Sequence, residues 1–234
     1  MLLGILILGA AIWFGRSGPA RSDAPIGLFG SVPLLFADSP ELTLDAPPPW
    51  PRAVIAVHGK PVPLDSLTGE GGRSPLAGID RLILAQPRAL SPAENVALDA
   101  WVRAGGRLLL LADPMYTGHS PFALGDPRRP QAIEMLSPLL DHWGLRLDFD
   151  EKQAGRERSA SAMGLAVPVD LPGRFSIIAG SDCRLFDDGL VATCTIGKGR
   201  VYAFADAAVI DPDGDDSVHA NALSGLLDAA FAAR

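Results

Sequence analysis

Six polar residues in the middle of the chain have types that could do chemistry: Gln86, Arg88, Asp113, Tyr116, His119 and Arg128. A histidine with a carboxylate can serve as acid and base, and a guanidinium can hold an anion. Asp113, His119 and Arg128 therefore define one candidate constellation, that of a hydrolase-type enzyme. Asp126 and Arg129 accompany them in sequence, and His58 and Asp206 each follow an apolar run elsewhere. The nucleophile motifs are missing: no Gly-x-Ser-x-Gly elbow, nor a cysteine equivalent, exposes a serine or thiol at a strand-to-helix turn. His58, His119, His142 and His219 are too scattered for metal spacing, and two cysteines alone fall short of a tetrahedral zinc site. Gly69-Glu70-Gly71-Gly72 lacks the Lys-Ser/Thr of a phosphate loop, and Gly197-Lys198-Gly199 precedes a strand rather than a helix. The acidic run from Asp211 to Asp216 lacks the bidentate glutamate of a calcium loop. The sequence thus predicts no catalytic set, metal or cofactor, and leaves the six residues as candidates for binding a ligand.

Those residues depend on the elements before them. Arg81-Leu82-Ile83-Leu84-Ala85 reads as a buried strand, ending at Gln86 and Arg88. Ser91-Pro92-Ala93-Glu94 reads as a helix start, with Ser91 as N-cap, Pro92 at the first position and Glu94 closing a capping box. Val96, Leu98, Trp101 and Val102 give that helix its apolar face, and Gly105-Gly106 stops it. Residues 107–112 form a second buried run, ending at Asp113-Pro114. Strand, capped helix and strand with continuous apolar runs make a βαβ unit of a parallel sheet, where ligands gather beyond the carboxyl ends of the strands. Tyr116, His119 and Arg128 fall in the loop that follows, which could fold over the same edge.

Elsewhere the reading is coarser. Residues 25–30 and 53–57 read as strands, separated by a proline-rich connector at 45–51 that excludes helix. Residues 58–78 read as loop, 133–143 as a helix bent near Pro138, 145–149 as a strand and 151–161 as exposed loop. Short strands at 175–179, 184–186, 190–196 and 200–204 follow, and an alanine-rich helix at 218–233 closes the chain. The expected fold is a flavodoxin-like three-layer α/β domain with a mostly parallel sheet and a C-terminal β-hairpin region.

Two features bear on location. Residues 2–15 are uninterruptedly apolar and end at Arg16. The run is short for a spanning helix, and no basic residue precedes it. It is read as a membrane anchor or signal segment at 1–20, followed by an α/β domain at 21–234; a late gene start and a buried element of a cytosolic domain are the alternatives. Asp188-Gly189 between apolar runs signals a hairpin that sets Cys183 directly opposite Cys194. That register suits a cross-strand disulfide and hence an oxidising compartment, with two buried thiols as the alternative. A net charge of -7, with Arg128-Arg129 the tightest basic cluster, argues against a nucleic-acid partner.

The segments Asp80-Arg81-Leu82-Ile83-Leu84, Leu90-Ser91-Pro92-Ala93-Glu94 and residues 101–114 together resemble the extracytoplasmic domain of gliding-motility-type ABC transporter auxiliary proteins. The closing strand at 197–206 and Asn221-Ala222-Leu223 are similar to that family's ending. The resemblance implies a class I glutamine amidotransferase-like fold without the catalytic cysteine. It also implies a non-catalytic, membrane-tethered domain on the periplasmic side, with transporter subunits as partners.

Overall fold

The computed structural model describes residues 23–38, 47–69, 73–178, 180–214 and 216–232. Its centre is a seven-stranded sheet in the order β2-β1-β3-β4-β11-β10-β9. The parallel strands are β1 (Pro25–Gly30), β2 (Lys60–Pro63), β3 (Arg81–Ala85), β4 (Arg107–Leu111) and β11 (Gly199–Phe204). The sheet continues antiparallel through β10 (Val191–Ile196) and β9 (Cys183–Phe186). Leu82 to Ala85 and Leu108 to Leu111 are almost wholly buried, as continuous apolar strands covered on both faces must be.

The chain moves outward from β1 to β2 through α1 (Trp50–His58), then in the opposite direction from β3 to β4 through α2 (Pro92–Ala104). Right-handed crossovers running opposite ways place these helices on opposite faces. The last helix, α4 (Asp216–Phe231), packs on α1, and α2 packs on α3 (Ser137–His142). Two small antiparallel pairs complete the chain. One joins β5 (Leu145–Asp148) to β8 (Arg174–Ile177), the other β6 (Arg158–Ala162) to β7 (Leu165–Val169).

Local rules hold where they are strongest. Ser91 Oγ accepts from the Glu94 amide at 3.3 Å, and Glu94 Oε2 accepts from the Ser91 amide at 3.0 Å, so the capping box forms. A Cβ on Gly106 would sit 2.5 Å from the Trp101 ring, so the second glycine is required by packing. Cys183 pairs with Cys194 in register, and the two form a disulfide. The turn before β10 is longer than two residues. Phe186 pairs with Val191, and Asp187, Asp188 and Gly189 all have positive φ.

Five sequence expectations are corrected: those for 45–51, 53–57, 58–78, 133–143 and 151–161. Residues 53–57 are helix, not strand. Burial at Pro51, Ile55 and part of Val54 and His58 follows one face of a helix, and a short apolar run does not separate the two periods. Trp50 and Pro51 begin that helix inside the supposed connector, because proline is tolerated in a first turn where no amide partner is needed. The strand expected there is β2, in the stretch read as loop. Of residues 133–143 only Ser137–His142 is helical, with Pro138 in its first turn. The hairpin of β6 and β7 was not expected from residues 151–169; its turn is Met163-Gly164, both with positive φ. The apolar run at 2–15 lies outside the described residues. Among the described residues, no helix is long and apolar enough to cross a membrane.

Candidate functional site

Three of the parallel strands, β3, β4 and β11, are each followed within two positions by a buried polar residue. Gln86 follows β3 by one position, while Asp113 and Asp206 each follow their strand by two; none is more than 1% exposed. Gln86 has φ 42, and its amide donates to Leu111 O at 2.9 Å. Its side chain ties two segments together. The Asp113 amide donates to Gln86 Oε1 at 2.8 Å, and Gln86 Nε2 donates to Asp113 O at 2.8 Å and Gln131 O at 2.9 Å. Both halves of the Gln86 amide are thereby satisfied by main chain, as burial requires.

Gln131 closes the crevice at the switch point. Its amide donates to Ser31 Oγ at 2.7 Å, just past the end of β1, and its carbonyl is held by Gln86 at the end of β3. The Tyr116 amide donates to Ala132 O at 2.9 Å and the Glu134 amide to Asp113 O at 3.0 Å. The loop between β4 and α3 thus returns over the strand ends and fills the place where doubly wound sheets admit ligands.

The two aspartates are bound by backbone. Asp113 Oδ1 accepts from the Met115 amide at 2.8 Å and Oδ2 from the Ala207 amide at 3.2 Å. Asp206 Oδ1 accepts from the Ala208 amide at 2.6 Å and Oδ2 from the Asp170 amide at 3.0 Å. Burial pushes the Asp113 carboxyl up to about 7 against these amides, with the Asp170 charge adding. Burial raises Asp206 well above the usual range as well, and the nearby Asp113 adds to it. Glu134 is pushed up to about 7 by burial. Tyr116 is raised by burial and by Asp211, Asp113, Asp38 and Asp213; its hydroxyl has no hydrogen-bond partner among the described residues.

The other expected site residues do not join this cluster. Arg88 donates to both oxygens of Glu94, at 2.9 and 2.8 Å, and lies over the Phe29 ring at 5.0 Å. That guanidinium, aided by the Ser91 and Leu67 amides, holds the Glu94 carboxyl far below the carboxylate range despite burial. His119 is three-quarters exposed and stands 3.9 Å from Asp213. Arg128 pairs with Asp126 at 2.7 Å and stacks on Phe122 at 4.2 Å. His58 ends α1 rather than a strand, with Nε2 3.0 Å from Ser224 Oγ and Nδ1 3.4 Å from Asp228. The acid–base constellation of Asp113, His119 and Arg128 is therefore not assembled. Among the described residues no group of His, Cys, Asp or Glu could hold a metal ion. Sequence reasoning missed Asp170 and Glu134 altogether: the contact of Asp170 with Asp206 crosses β8 to β11, and Glu134 lies 21 positions after Asp113 in the long loop that precedes α3, with no local pattern to mark its return.

A separate open cavity of about 990 Å³ lies against β9, β10 and β11, walled by α4 and the β6–β7 turn. Thr193, Thr195, Arg200 and Tyr202 line it. Their alternation with Cys194 and Val201 along the strands was the available signal.

Residues 57–162 match the model of a family described as an ABC-type uncharacterized transport system. The match starts in the last turn of α1 and runs through the parallel core to the end of β6, a little under half of the chain. Over that stretch the chain is similar to an ABC transporter auxiliary domain. No curated protein matches the chain. Among solved structures, the exo-β-1,4-mannosidase of Opitutaceae bacterium strain TAV5 has 14% identity and a TM-score of 0.50 over 91% of this chain and 37% of that one. The β-galactosidase of Rahnella sp. R3 has 15% identity and a TM-score of 0.46 over 89% and 31%. A cytoplasmic protein of Salmonella typhimurium LT2 has 12% and 0.46 over 86% and 99%. The chain spans about a third of the two glycosidases. At these identities the first of the three likenesses concerns the fold alone, and the other two carry no argument.

Proposed function

We propose that this chain is a non-catalytic accessory domain of an ABC-type transport assembly, held at the outer side of a cytoplasmic membrane by its N-terminal segment and binding transporter subunits. The observation that carries the reading is the family match across residues 57–162. The strand ends add to it. Gln131 occupies the switch-point crevice, and both strand-end aspartates are taken up by amides of the loops they hold. Such a domain offers its surface, not a buried centre, to a partner. The 2-1-3-4-5 order of the parallel strands supports a flavodoxin-like, amidotransferase-like fold. The Cys183–Cys194 disulfide supports an oxidising compartment.

The test is crosslinking in intact cells with a C-terminal tag, followed by membrane isolation and mass spectrometry of what is captured. Transporter subunits, with a tag reached only from outside, are the expected result. A soluble cytoplasmic protein with no transporter subunit in the capture would overturn the reading.

A second reading, a hydrolase, draws on one observation: a buried Asp113 carboxyl raised to about 7, in the range of a general acid or base. It requires a turnover by the purified chain that Asp113→Asn abolishes while the fold persists.

A further inference from the structure

The open face of β9, β10 and β11 carries a second kind of polar arrangement. Arg184, Thr193 and Tyr202 are directly opposite one another across the three strands, and Thr195 is opposite Arg200. Directly opposed residues share a face, and alternate positions of a strand do so too, so these five side chains form one array. Cys183, Cys194 and Val201 lie between the two rows and point to the other face, where Cys183 Sγ is 3.6 Å from Trp143 O. All five residues of the array line the 990 Å³ cavity.

The array is rich in unused donors. Among the described residues, Arg184 makes no hydrogen bond or ion pair, and the Thr193, Thr195 and Tyr202 hydroxyls make no hydrogen bond. Tyr202 is only 5% exposed, and burial with the nearby Asp187 pushes its hydroxyl up to about 12, so it remains a donor. Ser181 Oγ, at the same cavity, is buried without a partner among the described residues. Arg200 donates to Ala232 O at 2.7 Å. By strand spacing and rise, the Cα atoms of Arg184 and Arg200 stand roughly 12 Å apart, so two long side chains can lean toward one group between them. Asp182 at the rim offsets one of the two positive charges.

The walls are different. Leu165 and Met163 of the β6–β7 turn face Gly225, Ala229 and Ala230 of α4. A Cβ on Gly225 would lie 2.6 Å from Leu165, so the absence of a side chain there lets the hairpin approach the helix. Small residues on α4 leave the cavity open beside an apolar lip.

We infer that this cavity binds an amphiphilic anion, a single carboxylate or phosphate group on an apolar body, with the head on the Arg184–Arg200 array and the body against Leu165, Met163 and α4. With Asp182 at the cavity and Asp187 beside Tyr202 set against the two arginines, the site suits one anionic group rather than a polyanion. The site lies mostly outside the stretch that carries the family match, and it stands whether or not the chain serves a transporter.

The experiment is calorimetric titration of the purified full chain with octanoate, octyl phosphate, neutral octanol and acetate, each below its aggregation concentration. Octanoate or octyl phosphate is expected to bind saturably at least tenfold tighter than both octanol and acetate, and the tighter of the two identifies the head group. Arg184→Gln, at an exposed edge position, should weaken that binding at least tenfold with an unchanged melting midpoint, and Tyr202→Phe severalfold. Octanol binding as tightly as the anions, acetate binding as tightly as octanoate, affinity unmoved by Arg184→Gln, or no saturable binding at all would each overturn the inference.

Discussion

The two ends of the sheet use polar side chains in opposite ways. Where the parallel strands end, Gln86, Asp113 and Asp206 are buried and hold the main chain of the loops around them. On the antiparallel extension, Arg184, Thr193, Thr195 and Tyr202 stand in rows on an open face and hold nothing among the described residues. Buried polar groups must find partners inside the protein, and here those partners are amides. Groups beside a cavity are under no such demand and remain available to a ligand. In this chain the strand-end edge spends its polar groups on its own loops, while the extension turns them toward a cavity.

The sharpest way to break that comparison is pH. The carboxyls of Asp113 and Glu134 are raised to about 7, and Asp206 is raised too. Between the ordinary carboxylate range and pH 7 the unfolded chain has released these protons while the folded chain keeps them. Stability should be fully present below about pH 4 for these groups and fall as pH climbs through 7. The limit is about 4 kcal/mol for Asp113 alone. Urea midpoints from pH 5 to 8 should decline, and Asp113→Asn should flatten the decline. A midpoint that rises over that window would mean the strand-end carboxyls are ionised and that the edge is a charged site after all. Glu94, lowered mainly by Arg88, has the opposite sign and adds a loss only as pH falls through its own low value.

The disulfide tests the extension. It closes a short loop, with a sequence separation of 11. Replacing both cysteines with alanine should cost about 3 kcal/mol by the loop-entropy relation. Hydrogen exchange should rise first in β9 and β10. Uniform loosening of the parallel strands instead would show that the two regions unfold as one.

Gln86→Leu should cost about 2 kcal/mol, because the buried carbonyls of Asp113 and Gln131 and the Asp113 amide lose their partners. A neutral effect in chemical denaturation would mean that water replaces the side chain and that the crevice is more open than its hydrogen bonds imply. The smallest effect belongs to His119→Ala and Arg128→Ala. Both side chains are largely exposed, His119 beside Asp213 and Arg128 paired with Asp126 and stacked on Phe122, so thermal midpoints should move only slightly, Arg128→Ala the more of the two.

Much of the scaffold is legible in short stretches. The Ser91–Glu94 capping box, the buried runs at 81–85 and 107–111 and the Asp-Gly turn opposite the cysteines each depend on residues a few positions apart. Residues 53–57 misled because five apolar residues fit either period, and only burial against α4 and β2 selects the helix. The β6–β7 hairpin was hidden by a Met-Gly turn without the usual Asn or Asp.

Sequence alone was enough for the buried strands β3 and β4, for where α2 begins and ends, and for the residues that follow those strands, because local sterics, capping and hydrophobic period act over a few residues. Only the tertiary structure decided that Gln131 fills the switch-point crevice and that Asp170, Asp113 and Asp206 share one buried network. It also decided that Arg184 and Arg200 face one cavity across β10. These meetings join residues from 36 to 100 positions apart for the hydrogen bonds that carry them. The physical reason is that sheet order and crossover direction, not spacing along the chain, set which loops return to the same edge.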